Sequence, residues 1–171
     1  MRKFILVFIL SLNLFGANEL RFKSLIGEFT QTITSQDQKI IYTGSLAIDS
    51  DFGAFWQYDT PMQKLIYFSN NQVIIIEPEL EQAIITNLKS SPDITKILKN
   101  AKKLSDDKFQ AVYEDVIYDI TTQNSLPKLI AYEDKLGNKA IIEFTQISKD
   151  KIISKDILTP QIPSNYDIIS N

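Results

Sequence analysis

Lys64-Leu-Ile-Tyr-Phe-Ser69 and Gln72-Val-Ile-Ile-Ile-Glu77, joined by Asn70-Asn71, decide how this chain folds. Both runs are rich in β-branched or aromatic residues and are short for helices. Asn tolerates the left-handed backbone, so Asn70-Asn71 predicts a two-residue hairpin turn between antiparallel strands. Neither run alternates apolar with polar residues, as a strand with one wet face would. Both faces must therefore be covered, and Leu129-Ile-Ala-Tyr132 has the same character.

Outward from this hairpin the pattern repeats. Upstream, a strand starts in Phe29-Thr-Gln-Thr-Ile-Thr34, and Ile40–Ile48 and Ala54–Tyr58 follow. Downstream come Gln82–Asn87, Phe109–Tyr113, Val116–Thr122, Leu126–Tyr132 and Ala140–Ser148. Asp51, Gly53, Asp59-Thr-Pro61, Pro78 and Leu136-Gly137-Asn138 punctuate them as turns. Two short helices are expected. Leu20, Phe22, Leu25, Ile26 and Phe29 recur at roughly helical spacing ahead of the first strand. Ser91-Pro92-Asp93 predicts the second helix, with Ser91 as N-cap and Pro92 at the first position. Its apolar stripe is Ile94, Ile97, Leu98 and Ala101, with Lys99, Lys102 and Lys103 toward its negative end. Thr159-Pro-Gln-Ile-Pro163 is too proline-rich for an interior strand. With so few helices available to cover it, a sheet curled around an apolar interior is the economical solution. Side chains could fill that interior, or a ligand could.

Composition removes much chemistry. The 171 residues suit one domain, and they include no Cys and no His. There is thus no Ser-His-Asp or Cys-His nucleophile, no thiolate or imidazole metal site and no disulfide frame. With 21 acidic residues against 18 basic ones, the chain lacks the basic balance expected of a nucleic-acid binder. Met1–Ala17 reads as an export signal, with Arg2 and Lys3 as its basic start and Phe4–Phe15 as its apolar core. That core falls short of the roughly 20 apolar residues of a membrane span. The alternative is an uncleaved anchor. Export implies a mature domain over residues 18–171, acting in a periplasm-like space and folded without disulfides.

Asp49-Ser-Asp51-Phe-Gly53 resembles the start of a calcium loop, but Ala54 and Thr60 stand where that loop needs Gly and Glu. Glu77, Glu79 and Glu81 read as a solvated loop. Asp106-Asp107, Glu114-Asp115 and Glu133-Asp134 read as turn residues. A Ser-Lys esterase is the one enzymatic alternative left beside a non-catalytic domain, although no Ser sits in a Gly-rich nucleophile turn. Trp56 and Tyr58 share one strand face. They are core aromatics or the lining of a lipid cavity, and the same choice applies to Ile94, Ile97 and Leu98.

Gly44-Ser-Leu46, Phe55-Trp56-Gln-Tyr58, Pro61, the turn at Ser69-Asn70 and Glu81-Gln82-Ala83 follow one another in an order that resembles the outer-membrane lipoprotein carrier proteins, the LolA family. Phe29-Thr30-Gln31 is similar to that family's Phe-Thr-Gln at its first strand. Past Leu88 the resemblance rests on a helix after the strands and on Thr159-Pro160 with Pro163 nearby. It implies a mainly β fold with short helices: an antiparallel half-open β-barrel closed by a helical lid. It also implies a periplasmic carrier that binds the acyl chains of lipoproteins released from the inner membrane and delivers them to the outer membrane. The implied partners are acylated lipoproteins, an inner-membrane ABC-type lipoprotein-releasing complex and an outer-membrane receptor. The implied protein is a monomer with no cofactor, metal or nucleic acid.

On that reading Trp56, Tyr58, Leu65, Tyr67, Ile74 and Ile76 form the wall, and Ile94, Ile97 and Leu98 the lid. Ile97→Glu is then expected to weaken cargo retention and leave the fold intact. Strand parity governs the wall, since a one-residue slip presents the opposite set. Where family members often carry Arg beside Pro, as a lid lock, this chain has Ser50-Asp51. The family's turn Gly is Asn70, and its strand aromatics are Ile74 and Ile76. The other reading is a sensor or regulator on the same half-barrel that binds a protein partner.

Overall fold

The computed structural model describes residues 20–36, 38–69, 72–87 and 93–170. The expected signal Met1–Ala17, the turn residues Asn70-Asn71 and the expected cap Ser91-Pro92 lie outside them. One sheet organises the rest. Its first half is β1 (Ser24–Ser35), β2 (Gln38–Asp49), β3 (Gly53–Thr60), β4 (Lys64–Ser69), β5 (Gln72–Glu77) and β6 (Gln82–Asn87). Its second half is β7 (Lys102–Ser105), β8 (Lys108–Tyr113), β9 (Val116–Gln123), β10 (Leu126–Glu133) and β11 (Lys139–Lys149). A last strand, β12, spans Asp167–Ser170. The order across the sheet is β12-β6-β5-β4-β3-β2-β1-β11-β10-β9-β8-β7. All neighbours are antiparallel except β12, which runs parallel to β6. Two meanders thus meet at one seam, β1 against β11.

The strands form where β-rich residues are bounded by turn chemistry. Glu114 and Asp115 have φ of 50° and 63°, and Asn124 and Ser125 have φ of 52° and 59°. Two successive left-handed residues make the tight turn whose twist matches a two-residue hairpin. In the Asp134–Asn138 turn, Asp134 Oδ1 accepts from the backbone N–H groups of Leu136 and Asn138. Asp106-Asp107 and Glu114-Asp115 are turn residues, as expected, whereas Glu133 ends β10 and Asp134 opens the turn that follows.

The sheet is curled but not closed. Trp56 on β3 and Phe144 on β11 are three strands apart, about 14 Å across a flat sheet, yet their ring centroids are 6.3 Å apart. Leu25, Phe29, Leu46, Ile48, Trp56, Phe109, Ile120, Ile130 and Phe144 pack into one core on the concave face. The convex face of β3 to β6 has its own cluster. There Tyr67, Ile76 and Ala83 pack with Phe55, Leu65 and Ile74, and the C-terminal residues Ile162 and Tyr166 lie over them. Both faces are covered, as the lack of alternation required, and the tail covers one of them.

Three expectations are corrected. The helix expected over Leu20–Phe29 is absent, because Ser24 already begins β1. Leu25 and Phe29 are buried and four residues apart, a spacing that shares a face on a strand as well as on a helix. Gly27 between them carries no side chain to reveal the alternation; the bulge opposite Ile26–Glu28 lies on β11, where Gln146 has a φ of 49°, and leaves the alternation of β1 intact. The second helix, α1, is only Ile94–Lys99, and its cap is Asp93, which accepts from the Lys96 N–H. Lys102 and Lys103 lie on β7, paired with Gln110 and Phe109. The helical lid is not formed either. Among the described residues α1 is the only α-helix, and its Ile94, Ile97 and Leu98 are packed into the main core instead of standing over it.

Candidate functional site

An apolar cleft opens on the concave face. Trp56 and Tyr58 on β3, Ile66 and Phe68 on β4, and Ile75 on β5 form one wall. Gln31 of β1, Ile142 of β11 and Tyr132 of β10 form the other, and Ile94 of α1 closes an end. The open volume is about 130 Å³. A dry apolar cavity of about 150 Å³ admits a benzene ring, so the cleft as it stands takes only the leading end of a long apolar group.

The register explains the wall. Trp56 pairs with Ile66, and Ile66 with Ile75. Directly opposed residues share a face, so β4 and β5 present Ile66, Phe68 and Ile75 to the cleft. Leu65, Tyr67, Ile74 and Ile76 point to the convex face, with Tyr67 and Ile76 at the centre of its cluster. The expected wall is therefore split: Trp56 and Tyr58 line the cleft, and those four do not. These strands are apolar on both faces, so sequence alone could not set their parity. The parity is set by the register of the pairing with β3, in which Trp56 and Tyr58 stand opposite Ile66 and Lys64.

The expected lid residues also separate. Ile94 borders the cleft, whereas Ile97 and Leu98 are each 1% exposed inside the core. Ile97→Glu would bury a carboxylate without a partner, so it would unsettle the fold and is no clean probe of retention.

Polar groups in the cleft are few and satisfied. Tyr58 Oη donates to Gln31 Oε1 at 2.8 Å, and the Gln31 side chain partly offsets the effect of burial on the nearby Tyr132 phenol. Burial, chiefly, pushes the Tyr58 and Tyr132 phenols up from their ordinary range. Tyr118, which stacks on Tyr132 with centroids 4.7 Å apart, is pushed up to about 12. The cleft is therefore uncharged at neutral pH. Trp56 and Tyr58 each lean on Phe29, with centroids 4.8 Å and 5.0 Å away, so their rings are held in place.

One flank of the cleft is polar. Lys64 Nζ and Glu77 Oε1 are 2.8 Å apart, and Gln82 Nε2 donates to the other oxygen of Glu77. Glu77 is buried, which corrects its reading as part of a solvated loop, whereas Glu79 and Glu81 are exposed. Its carboxyl is held below the usual range, first by the Lys64 hydrogen bond and then by Gln82.

Two other depressions are less suited to a ligand. A hollow of about 220 Å³ between the β2–β3 turn and α1 is ringed by Asp49, Asp51, Asp93, Lys96 and Lys99. Asp49 Oδ1 there accepts from the N–H groups of Asp51 and Phe52, and Lys99 Nζ donates to the Ser50 carbonyl, so turn and helix contacts use these groups. A shallow depression of about 660 Å³ lies over Ile117, Ala131 and Ile141 on β9 to β11. Among the described residues no cluster of acidic side chains could hold a metal ion.

The sequence model for the outer membrane lipoprotein carrier protein LolA matches residues 21–117, more than half of the chain and most of the cleft. The chain belongs to the LolA family. It is 34% identical to an outer-membrane lipoprotein carrier protein of Campylobacter jejuni over 99% of both chains. A protein of the same description from Wolinella succinogenes is also 34% identical, over 91% of this chain and 94% of its own. Among solved structures, a LolA-superfamily protein of Nitrosomonas europaea superposes with a TM-score of 0.54, covering 84% of this chain and 94% of that one at 13% identity. An uncharacterised conserved protein of Thermus thermophilus superposes at 0.55, covering 90% and 94% at 8% identity. These two likenesses concern the fold. Together with the sequence relatives, they place the open β-sheet in the LolA superfamily.

Proposed function

We propose that this chain is a periplasmic lipoprotein carrier. It binds the acyl chains of lipoproteins released from the inner membrane and delivers them to the outer membrane. Family membership over nearly the whole chain supports the reading, and the observation that carries it is the uncharged apolar cleft on the concave face. The task needs no catalytic residue. A sixteen-carbon acyl chain is worth about 12 kcal/mol of gross burial, at roughly 0.8 kcal/mol per methylene. Such a chain does not cross water unaided. A carrier has to replace the membrane only in part, so that the next membrane can take the load.

The partners in this reading are an acylated lipoprotein, an inner-membrane ABC-type releasing complex and an outer-membrane receptor, with the carrier acting as a monomer. Ile94, Trp56 and Tyr58 contact the chain end; Ile97 and Leu98 hold α1 in place from within the core.

Native mass spectrometry of residues 18–171, purified without detergent from cells co-producing an acylated lipoprotein, tests this. A one-to-one complex that disappears when the lipoprotein's acylated Cys is replaced is the expected result. A bare protein under those conditions overturns the carrier reading and returns the half-barrel to a role in binding a protein partner.

A further inference from the structure

The cleft is too small for a whole acyl chain, and the sheet register shows where the remainder can lie. Trp56 is opposite Ile66, Ile66 opposite Ile75, Ile75 opposite Ile84, and Ile84 opposite Ile169. Five apolar residues on five adjacent strands thus form one row on the concave face. It starts in the cleft and ends on β12, the open edge of the sheet. Exposure follows the same direction: Trp56 is 4% exposed, Ile66, Ile75 and Ile84 are half-buried, and Ile169 is 41% exposed.

We propose that this row is the binding track for one acyl chain, whose end enters the cleft at Trp56 and whose head leaves over Ile169. The proposal rests on the carrier reading and adds the path to it. Length supports the match. Four strand spacings of about 4.8 Å give about 19 Å, and one leaflet of a bilayer core, half of roughly 30 Å, is about 15 Å deep. Chemistry supports it as well. Two residues along each strand, Lys64, Glu77 and Gln82 form a hydrogen-bonded row on the same face, so the track has a polar kerb that a methylene chain does not cross. The edge position of β12 sets the head of the lipid at the rim, where the attached polypeptide stays in solvent.

Ile168 and Ile169 provide a matched test. They are adjacent on β12, but Ile168 pairs with Ala83 and so faces away from the track. Both are exposed, so a charge at either is tolerated by the fold. Binding of synthetic lipopeptides with one acyl chain of eight, twelve or sixteen carbons is measured for the parent chain, Ile169→Asp and Ile168→Asp. The expected result is affinity that rises with chain length in the parent and in Ile168→Asp. In Ile169→Asp the sixteen-carbon peptide should lose on the order of tenfold, while the eight-carbon peptide is unaffected. Equal behaviour of all three proteins, or equal losses in both variants, overturns the track and leaves the carrier reading standing. No binding of any lipopeptide by the parent overturns the carrier reading itself.

Discussion

Tyr58 donates its phenolic hydrogen bond to Gln31 Oε1 at 2.8 Å, and this contact joins the two walls of the cleft. Gln31 is 7% exposed, so its oxygen has no easy recourse to water. Tyr58→Phe leaves that acceptor unpaired and is expected to cost about 1–2 kcal/mol. Urea denaturation checks the loss. Adding Gln31→Leu to Tyr58→Phe should recover part of it, because both polar partners are then gone.

Ile94 and Ile97 should respond differently. Ile97→Ala opens a hole in the core and should lower stability by about 3 kcal/mol. Ile94→Ala, at the cleft boundary, should cost less stability and weaken binding of a sixteen-carbon lipopeptide more. Denaturation midpoints and lipopeptide titration of the two variants, side by side, decide this; equal profiles would remove Ile94 from the site.

Glu77 gives the fold an acid limit. Its folded pKa lies below the ordinary value of 4.5, mainly because Lys64 hydrogen-bonds the carboxylate. A depressed carboxyl contributes stability in full above its unfolded value and loses it as the pH falls through the folded one. Glu77→Gln should therefore destabilise at pH 7, and the gap from the parent should shrink below pH 4.5. Denaturation midpoints at pH 7 and pH 3 measure it, and a gap that stays constant would contradict the pairing.

Gly44 has no room for a side chain. A Cβ there would lie 1.9 Å from the Gln57 carbonyl oxygen and 2.9 Å from the Phe29 ring. Gly44→Ala must push β2 off β3 and is expected to cost about 3 kcal/mol. Loss of soluble protein or a collapsed denaturation midpoint is the readout. Normal stability would mean that the two strands can part without cost.

Much of this architecture was legible beforehand. Lys64–Ser69, Gln72–Glu77 and Gln82–Asn87 are strands with the bounds read from sequence, because each pairs β-rich residues with sharp turn signals. Trp56 and Tyr58 border the cleft and also pack into the main core, so the structure joins the two readings the sequence left open. What was not legible depends on partners remote in sequence. The parity of β4 and β5 is hidden because both faces are apolar, and only their pairing register, with Trp56 opposite Ile66 and Ile66 opposite Ile75, fixes it. Glu77 is buried only because a lysine lies on the adjacent strand. β7 and β12 are four-residue edge strands, exposed along their length, and carry no burial pattern to read.

The β1–β11 seam also governs the order of events in folding. Nearly every other pairing is a hairpin between successive strands and can form early. The seam instead joins distant parts of the chain: the Lys23 N–H, just beside it, binds Asp150, 127 residues away. Contacts of such separation are slow to form, because the loop entropy is lost before they reward it. Gln31 and Ile142, which face each other across this seam, are both walls of the cleft. The wall built from β3 to β5 can thus form from local hairpins, while the wall that carries Gln31 and Ile142 waits for this long-range pairing, so the cleft gains its second side only when the two meanders join.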